Sequence, residues 1–312
     1  MIFSPYDNAS CGDESIGFLV FAISLFPIIL PSATIQPFNV GYGNVQTEAV
    51  KQRMFGFTFV PVAGGDSIKL GSVKATGMAG GADMIQVINP TSLGRDAAYT
   101  YYSDAQAKAE ATEESEGDPE VYEEVYAELK ELVGWWAGNV GGTSANDVDI
   151  DVGSGFLGLS ADRNNISFEC AGSVPLTATS YAPGAVRSPI VANYLPVSFY
   201  LKDWVVDNMA GGADMIQVIN PETLGRTAAY TYYSDAQAQA EAMEESEGDP
   251  EAYEEVYAEL SELIGWWSGN IGGTSADNVV VKPGDAFLGL SADANALVFN
   301  FKGALDVTPV VE

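Results

Sequence analysis

The sequence predicts a mainly β chain, α+β by insertion: two tandem homologous β-sandwich or barrel-like domains, each with an acidic helical insertion. Three observations predict it. The stretch from Met78 to Val174 recurs without a gap as Met209 to Leu305, with about 70 of 97 positions identical. Short runs that alternate apolar and polar residues, punctuated by Gly, Pro and Asn turns, fill most of each copy. One block in each copy then switches to a helical period and an acidic composition. The 312 residues suffice for two domains of ordinary size. The expected division is an export signal or hydrophobic anchor at 1–33, a first β domain at 34–174, a linker at 175–189 and a second β domain at 190–312.

Ile16 to Ala33 is almost wholly apolar. Its length fits the apolar core of a secretory signal and is short for a hydrocarbon layer of ~30 Å. Pro27 and Pro31 interrupt a straight helix, and Ser32-Ala33 suits cleavage, but no Lys or Arg precedes Lys51. Export is the leading reading, ahead of a retained anchor and a buried core segment.

From Thr34 the pattern is β. Phe55 to Val62 and Ile68 to Lys74 each alternate with a period of two, and both read as half-buried strands. Asp83–Asn89 reads as a strand stopped by Asn89-Pro90, and Ala97–Tyr102 as an aromatic strand. Ser103-Asp104 is an N-cap signal ahead of a polar Ala/Gln/Glu helix running to about Ser115. Asp118 then caps a second helix with Pro119 in its first position. Tyr122, Val125, Tyr126, Leu129, Leu132 and Val133 lie on one side of that helix, so it reads as docked by an apolar face, with Gly134 ending it. Trp135-Trp136 and a Gly-rich loop precede strands near 148–152, 156–160 and 166–170. About seven strands per domain are expected. Between the copies, Ile190–Asn208 occupies the place of Phe59–Gly77 with about 3 of 19 identities, yet keeps the apolar pattern Val191, Phe199, Leu201, Val205.

Forty-three acids face 13 bases, and the net charge is -30. Duplex nucleic acid carries a phosphate charge every ~1.7 Å and repels such a chain; anionic membrane surfaces do the same, so membrane contact is expected only through residues 16–33 if they are retained. With no histidine, catalytic triads, His-ligated zinc and imidazole bases are excluded. Cys11 and Cys170 need not pair, since the counterpart of Cys170 is Phe301, which marks an apolar position. Asn165-Ile166-Ser167, a glycosylation sequon, becomes Ala296-Leu297-Val298 in the second copy.

Four constellations could carry chemistry. The acidic insertions contribute -20 of the -30; they are either a solvated face or a surface for cations and docking partners. Asp147, Asp149 and Asp151 look like part of a calcium loop but lack its glycine and bidentate Glu, and two of them become Val280 and Lys282. Outward-facing strand positions explain them better, and calcium stays only an open option. The third set is the candidate ligand site: Tyr102, Trp135 and Trp136, repeated as Tyr233, Trp266 and Trp267, which stack on sugar rings, fill the core or form a protein interface. Neighbours on an extended chain face opposite ways, so at most one Trp of each pair can be exposed. The fourth is Arg95 and Arg226, the only bases shared by the copies; each pairs with an internal acid such as Asp83 or Asp214, or else recognises a ligand carboxylate. No phosphate loop, nucleophile elbow or paired-Cys metal spacing is present.

The function expected from these features is that of an exported, non-enzymatic structural or adhesive protein of the cell surface or extracellular space. It would contact itself, through self-assembly, or other surface proteins. Glycan binding through the paired aromatics is the alternative, with a glycan-active enzyme third.

Overall fold

Strand outweighs helix by 38% to 21% in the structure, and all the sheets are antiparallel apart from isolated bridges. A computed structural model describes residues 40–46, 52–58, 67–223, 225–308 and Val310. All of these lie in one unit, Phe38–Glu312. The apolar stretch at 16–33, Cys11 and the second half of the predicted strand at Phe55–Val62 fall outside the described residues.

The first copy contributes β1 (Val40–Gln46), β2 (Gln52–Gly56), β3 (Ser67–Lys69), β4 (Lys74–Thr76), β5 (Met84–Ile88) and β6 (Arg95–Tyr102). Helices α1 (Asp104–Glu114) and α2 (Pro119–Lys130) follow, then β7 (Gly134–Ala137), β8 (Thr143–Ser144), β9 (Asp149–Asp151), β10 (Gly155–Leu159) and β11 (Ser167–Ser173). The second copy supplies β12 (Thr179–Tyr181), β13 (Ile190–Ala192), β14 (Phe199–Tyr200), β15 (Trp204–Asp207), β16 (Met215–Ile219) and β17 (Arg226–Tyr233). It continues with α3 (Asp235–Glu245), α4 (Pro250–Ser261), β18 (Gly265–Ser268), β19 (Thr274–Ser275), β20 (Val280–Val281), β21 (Ala286–Leu290) and β22 (Val298–Phe301).

The sheets correspond one to one. Orders β1-β11-β4, β2-β10-β5-β6-β7-β8 and β3-β9 recur as β12-β22-β15, β13-β21-β16-β17-β18-β19 and β14-β20. Among the described residues each copy therefore has eleven strands where the alternating runs suggested about seven, because several are only two or three residues long. Thr179–Tyr181, inside the segment read as a linker, is the edge strand of the second copy and pairs with β22.

Strand register also corrects the alignment of the connector. Phe156 lies opposite Phe55, whereas its counterpart Phe287 lies opposite Val191, 136 positions on rather than 131. Ile150 and Val281 restore the 131 offset by pairing with Ile68 and Phe199. Ile190 thus stands in the place of Met54, not Phe59, and the five-residue difference falls between Thr58 and Ser67. The run Ile68–Lys74 is likewise not one strand. A 3-10 turn at Leu70–Ser72 breaks it, buries Leu70, and sends β3 to β9 but β4 to β11. In β15 the buried positions are Trp204 and Val206, while Val205 faces outward.

One core in each copy is shared by both larger sheets. Ala75, Phe168 and Cys170 from the three-stranded sheet meet Phe55, Ile85, Tyr101, Trp135 and Phe156 from the six-stranded sheet. The Cys170 thiol donates to the Thr58 carbonyl at 3.1 Å, and burial pushes its pKa up, as a small apolar filler requires.

The helices form as their caps dictate. Ser103 Oγ accepts from Gln106 N, and Asp118 accepts from Glu120 N and Val121 N ahead of Pro119. Their docking differs from the expectation. Helix α1 buries Ala107 and Ala111, while α2 buries nothing completely and packs mainly on α1. Small alanines allow α1 the close approach, which leaves the larger apolar face of α2 only half-covered. Tyr122 and Tyr126 stack there at 5.8 Å, and the Tyr126 hydroxyl donates to Asp104 at 2.5 Å. Gly134 opens strand β7 instead of capping the helix. Its φ of 142° demands glycine, and the Asn146 amide lies 2.9 Å from where a Cβ would sit.

The two copies meet through reciprocal contacts. Gly56 N donates to Gly284 O at 2.9 Å, and its counterpart Ala192 N donates to Gly153 O at 2.8 Å. The bridge Phe55↔Asp285 likewise has its mate in Ser154↔Val191. A contact that maps onto itself when the partners are exchanged is isologous, a two-fold relation that closes on itself. The approach is close: a Cβ on Gly56 would lie 2.1 Å from Ala192 Cβ, and one on Gly155 2.3 Å from Ile190 Cγ2. Two ion pairs across the junction lack mates. Arg53–Asp285 spans 3.4 Å and Arg163–Glu222 spans 2.9 Å.

Candidate ligand-binding grooves

Strand alternation decides where the paired tryptophans go. On β7, Trp135 points inward and is fully buried, 5.1 Å from the Tyr101 ring, with its indole N–H donating to Val73 O at 2.7 Å. Trp266 does the same against Tyr232 and Trp204 O. Trp136 and Trp267 are half-buried; their indoles donate to Leu132 O and Leu263 O, both at 2.7 Å, and so tie down the turn that follows each helix pair. Only this second tryptophan of each pair keeps surface for a ligand.

Tyr102 and Tyr233 are also buried. The Tyr102 hydroxyl donates to Glu110 at 2.5 Å, Gln106 donates to the same carboxylate at 2.8 Å, and Gly80 N donates to Gln106 at 2.9 Å. The second copy repeats this chain through Tyr233, Glu241, Gln237 and Gly211. Burial, then the bond to the carboxylate, push both phenols well above their ordinary pKa. These residues pin helices α1 and α3 to the Ala-Gly-Gly turn and have no free edge for a ligand.

The arginines do not pair with the buried aspartates. Asp83 is fully buried and accepts from Ala79 N, Ala161 N and Asn164 Nδ2 at 2.9–3.0 Å. Asp214 repeats the arrangement with Ala210, Ala292 and Asn295. Three N–H donors satisfy each carboxylate without a counter-ion. Arg95 and Arg226 are exposed at strand starts, and among the described residues neither belongs to an ion pair.

Asp147, Asp149 and Asp151 face outward along β9 and its approach. Asp149 pairs with Lys69 at 2.9 Å and accepts from Ser67; the bond from Lys69 holds its carboxyl below the usual range. Among the described residues no group of three or more potential ligands could hold a metal ion.

Two grooves flank the junction, and neither was apparent from the sequence. The first, about 470 Å³, is walled by Val87, Pro90, Tyr99 and Phe156 and closed by Tyr181, Pro183, Pro189 and Ile190. The second, about 360 Å³, has the counterpart walls Val218, Pro221, Tyr230 and Phe287 and is closed by Arg53 and Met54. Each groove thus belongs to one copy and takes its lid from the other's connector or edge strand. Tyr181 is pushed up to about 12 by burial and by the charge of Asp151, so its hydroxyl stays protonated. Asp285 is raised above its ordinary value by burial, against the opposing pull of the Lys282 N–H and Arg53. No protein-family model, curated protein or solved structure matches the chain.

Proposed function

We propose that the chain is an exported, non-enzymatic structural or adhesive protein of the cell surface or extracellular space. It is built from two homologous β-sandwich domains joined as a two-fold pair. The observation that carries this reading is the reciprocal junction together with what it leaves outside. An isologous contact uses the same patch on both partners and closes. Larger assembly must therefore run through other faces, and the duplicated acidic helix pairs α1–α2 and α3–α4 supply two equivalent ones per chain. The shared residues best suited to chemistry support the same reading, because Trp135, Tyr102, Asp83 and their counterparts all serve packing or buried hydrogen bonds. The apolar stretch Ile16–Ala33 supports export. Among the described residues no helix is long and apolar enough to cross a membrane.

Light scattering with negative-stain imaging tests assembly, using the full chain and a chain lacking residues 1–33, each with and without calcium. Oligomers or filaments are expected, strengthened by a divalent cation that relieves repulsion between acidic faces. A monodisperse monomer of both chains in both conditions contradicts the reading. The half-open faces of Trp136 and Trp267 favour one alternative, glycan binding. A glycan-array signal that disappears in Trp136→Ala/Trp267→Ala would establish it instead.

A further inference from the structure

The two grooves are the same place in the two copies, and one of them already holds a cation at its lip. In the second copy, Arg53 enters on strand β2 of the other copy and reaches Asp285 at 3.4 Å, beside Tyr230. In the first copy the place of Arg53 is taken by Pro189 and that of Asp285 by Ser154, and the groove is larger. The walls Val87, Pro90, Tyr99 and Phe156 recur as Val218, Pro221, Tyr230 and Phe287, whereas Tyr181 lines the first groove alone. The charges differ: Asp96, Asp149 and Asp151 line the first groove where Thr227, Val280 and Lys282 stand in the second copy. No base lines the first groove; among the described residues Asp149 pairs with Lys69 at its edge, Asp96 accepts from the Asn89 amide at 3.1 Å, and Asp151 belongs to no ion pair.

We infer that the groove of the first copy is a docking site for an arginine or lysine side chain carried on an extended segment of a partner polypeptide. The second copy provides the template, a basic side chain delivered from a strand across the lip of the groove. The aliphatic stem would lie along Pro90, Phe156 and Ile190, and the cation would sit between the Tyr99 and Tyr181 rings and the carboxylates of Asp96 and Asp151. A protonated Tyr181 adds ring face and no competing charge. The inference does not rest on assembly, because a monomeric chain has the same groove.

Calorimetric titration of the full chain at low ionic strength tests it with three probes: acetyl-Gly-Arg-Gly-amide, its lysine equivalent, and agmatine as a free cation without a main chain. The peptides are expected to bind with Kd below about 1 mM and agmatine more weakly. Asp96→Asn/Asp151→Asn, both at exposed positions, is expected to weaken peptide binding by at least about tenfold. Pro189→Arg, which supplies the missing internal cation, is expected to block it. Glu123→Gln/Glu124→Gln removes as much charge from helix α2 and is expected to leave binding unchanged. Three results would each overturn the assignment: no peptide binding, equal losses in the two charge variants, or agmatine binding as tightly as the peptides. The last would make this a site for small amines.

Discussion

The two copies share a backbone plan and fill it differently. The first core draws on its edge strand, with Phe55 and Phe57 packed on Phe156 and Phe168. By register the same edge positions in the second copy are Val191 and Asn193, so that strand gives up two rings. The volume returns from other strands. Val73 becomes Trp204, Ile68 becomes Phe199, and the contacting pair Thr58 and Cys170 becomes Tyr194 and Phe301, whose rings lie 4.4 Å apart. Cores tolerate coordinated change when total volume is kept, and the constraint acts on the sum, not on each position. The exchange leaves one mark. The indole N–H of Trp204 is buried without a hydrogen-bond partner among the described residues, a cost of roughly 1–3 kcal/mol.

The largest test of this trade is Trp204→Val, which restores the first copy's residue in the second copy's core. It removes a ring packed on Phe287, Phe299 and Phe301 at 5.1–5.6 Å. The expected loss is about 2–4 kcal/mol, a cavity term partly offset by removing the unpartnered N–H. Adding Val191→Phe is expected to recover part of it in urea unfolding. No recovery would break the idea that the copies exchange volume between strands.

Asp203 gives the next effect and sharpens the contrast, since its counterpart is Ser72. Its buried carboxylate accepts from Lys302 and from Thr308 N at 2.7 Å, and so fastens the segment beyond β22. Burial alone would raise its pKa, but Lys302 and the Thr308 bonds outweigh burial and lower it. A lowered pKa stabilises the fold above the ordinary carboxylate range and loses that contribution as pH falls through the folded value. Asp203→Asn is expected to cost about 1–3 kcal/mol at pH 7 and to flatten the acid side of the stability profile. An unchanged acid slope would remove Asp203 from that role.

Asp285 predicts a smaller effect of opposite sign. With its pKa raised by burial, it is most stabilising while protonated, and stability declines as pH rises from the ordinary carboxylate range through the folded value. Asp285→Asn is expected to remove this slope, with a change of about 1 kcal/mol or less at pH 7. Ser154, its counterpart, contributes no such slope, so a variant as steep as the parent would contradict the assignment.

What could be read from the sequence follows from what is local. Helix caps at Ser103 and Asp118 and the strand stop at Asn89-Pro90 depend on neighbours a few positions away, and the structure has them. The outward aspartates of β9 follow from a period of two. The break at Leu70–Ser72 was hidden because a period-two pattern runs straight across it while the chain changes sheets. Trp135 was legible as one of an alternating pair, but which tryptophan pointed inward depended on the register of β7 with β6. Arg95 pointed to Asp83 through charge arithmetic alone, which does not register that three backbone and amide N–H groups already satisfy that carboxylate. The junction was the least legible feature. It arises where Gly56 approaches Ala192 from 136 positions away, in a region whose identity had fallen too low to align.

That contact is also where the account is most exposed to test. Gly56 and Ala192 are counterparts, and the space between them admits one Cβ and not two. Gly56→Ala is expected to destabilise the chain by about 1–3 kcal/mol in urea unfolding. The exchange Gly56→Ala/Ala192→Gly moves the same methyl to the other side and is expected to return most of that loss. A neutral Gly56→Ala, or an exchange no more stable than Gly56→Ala alone, would contradict a two-fold junction between the copies.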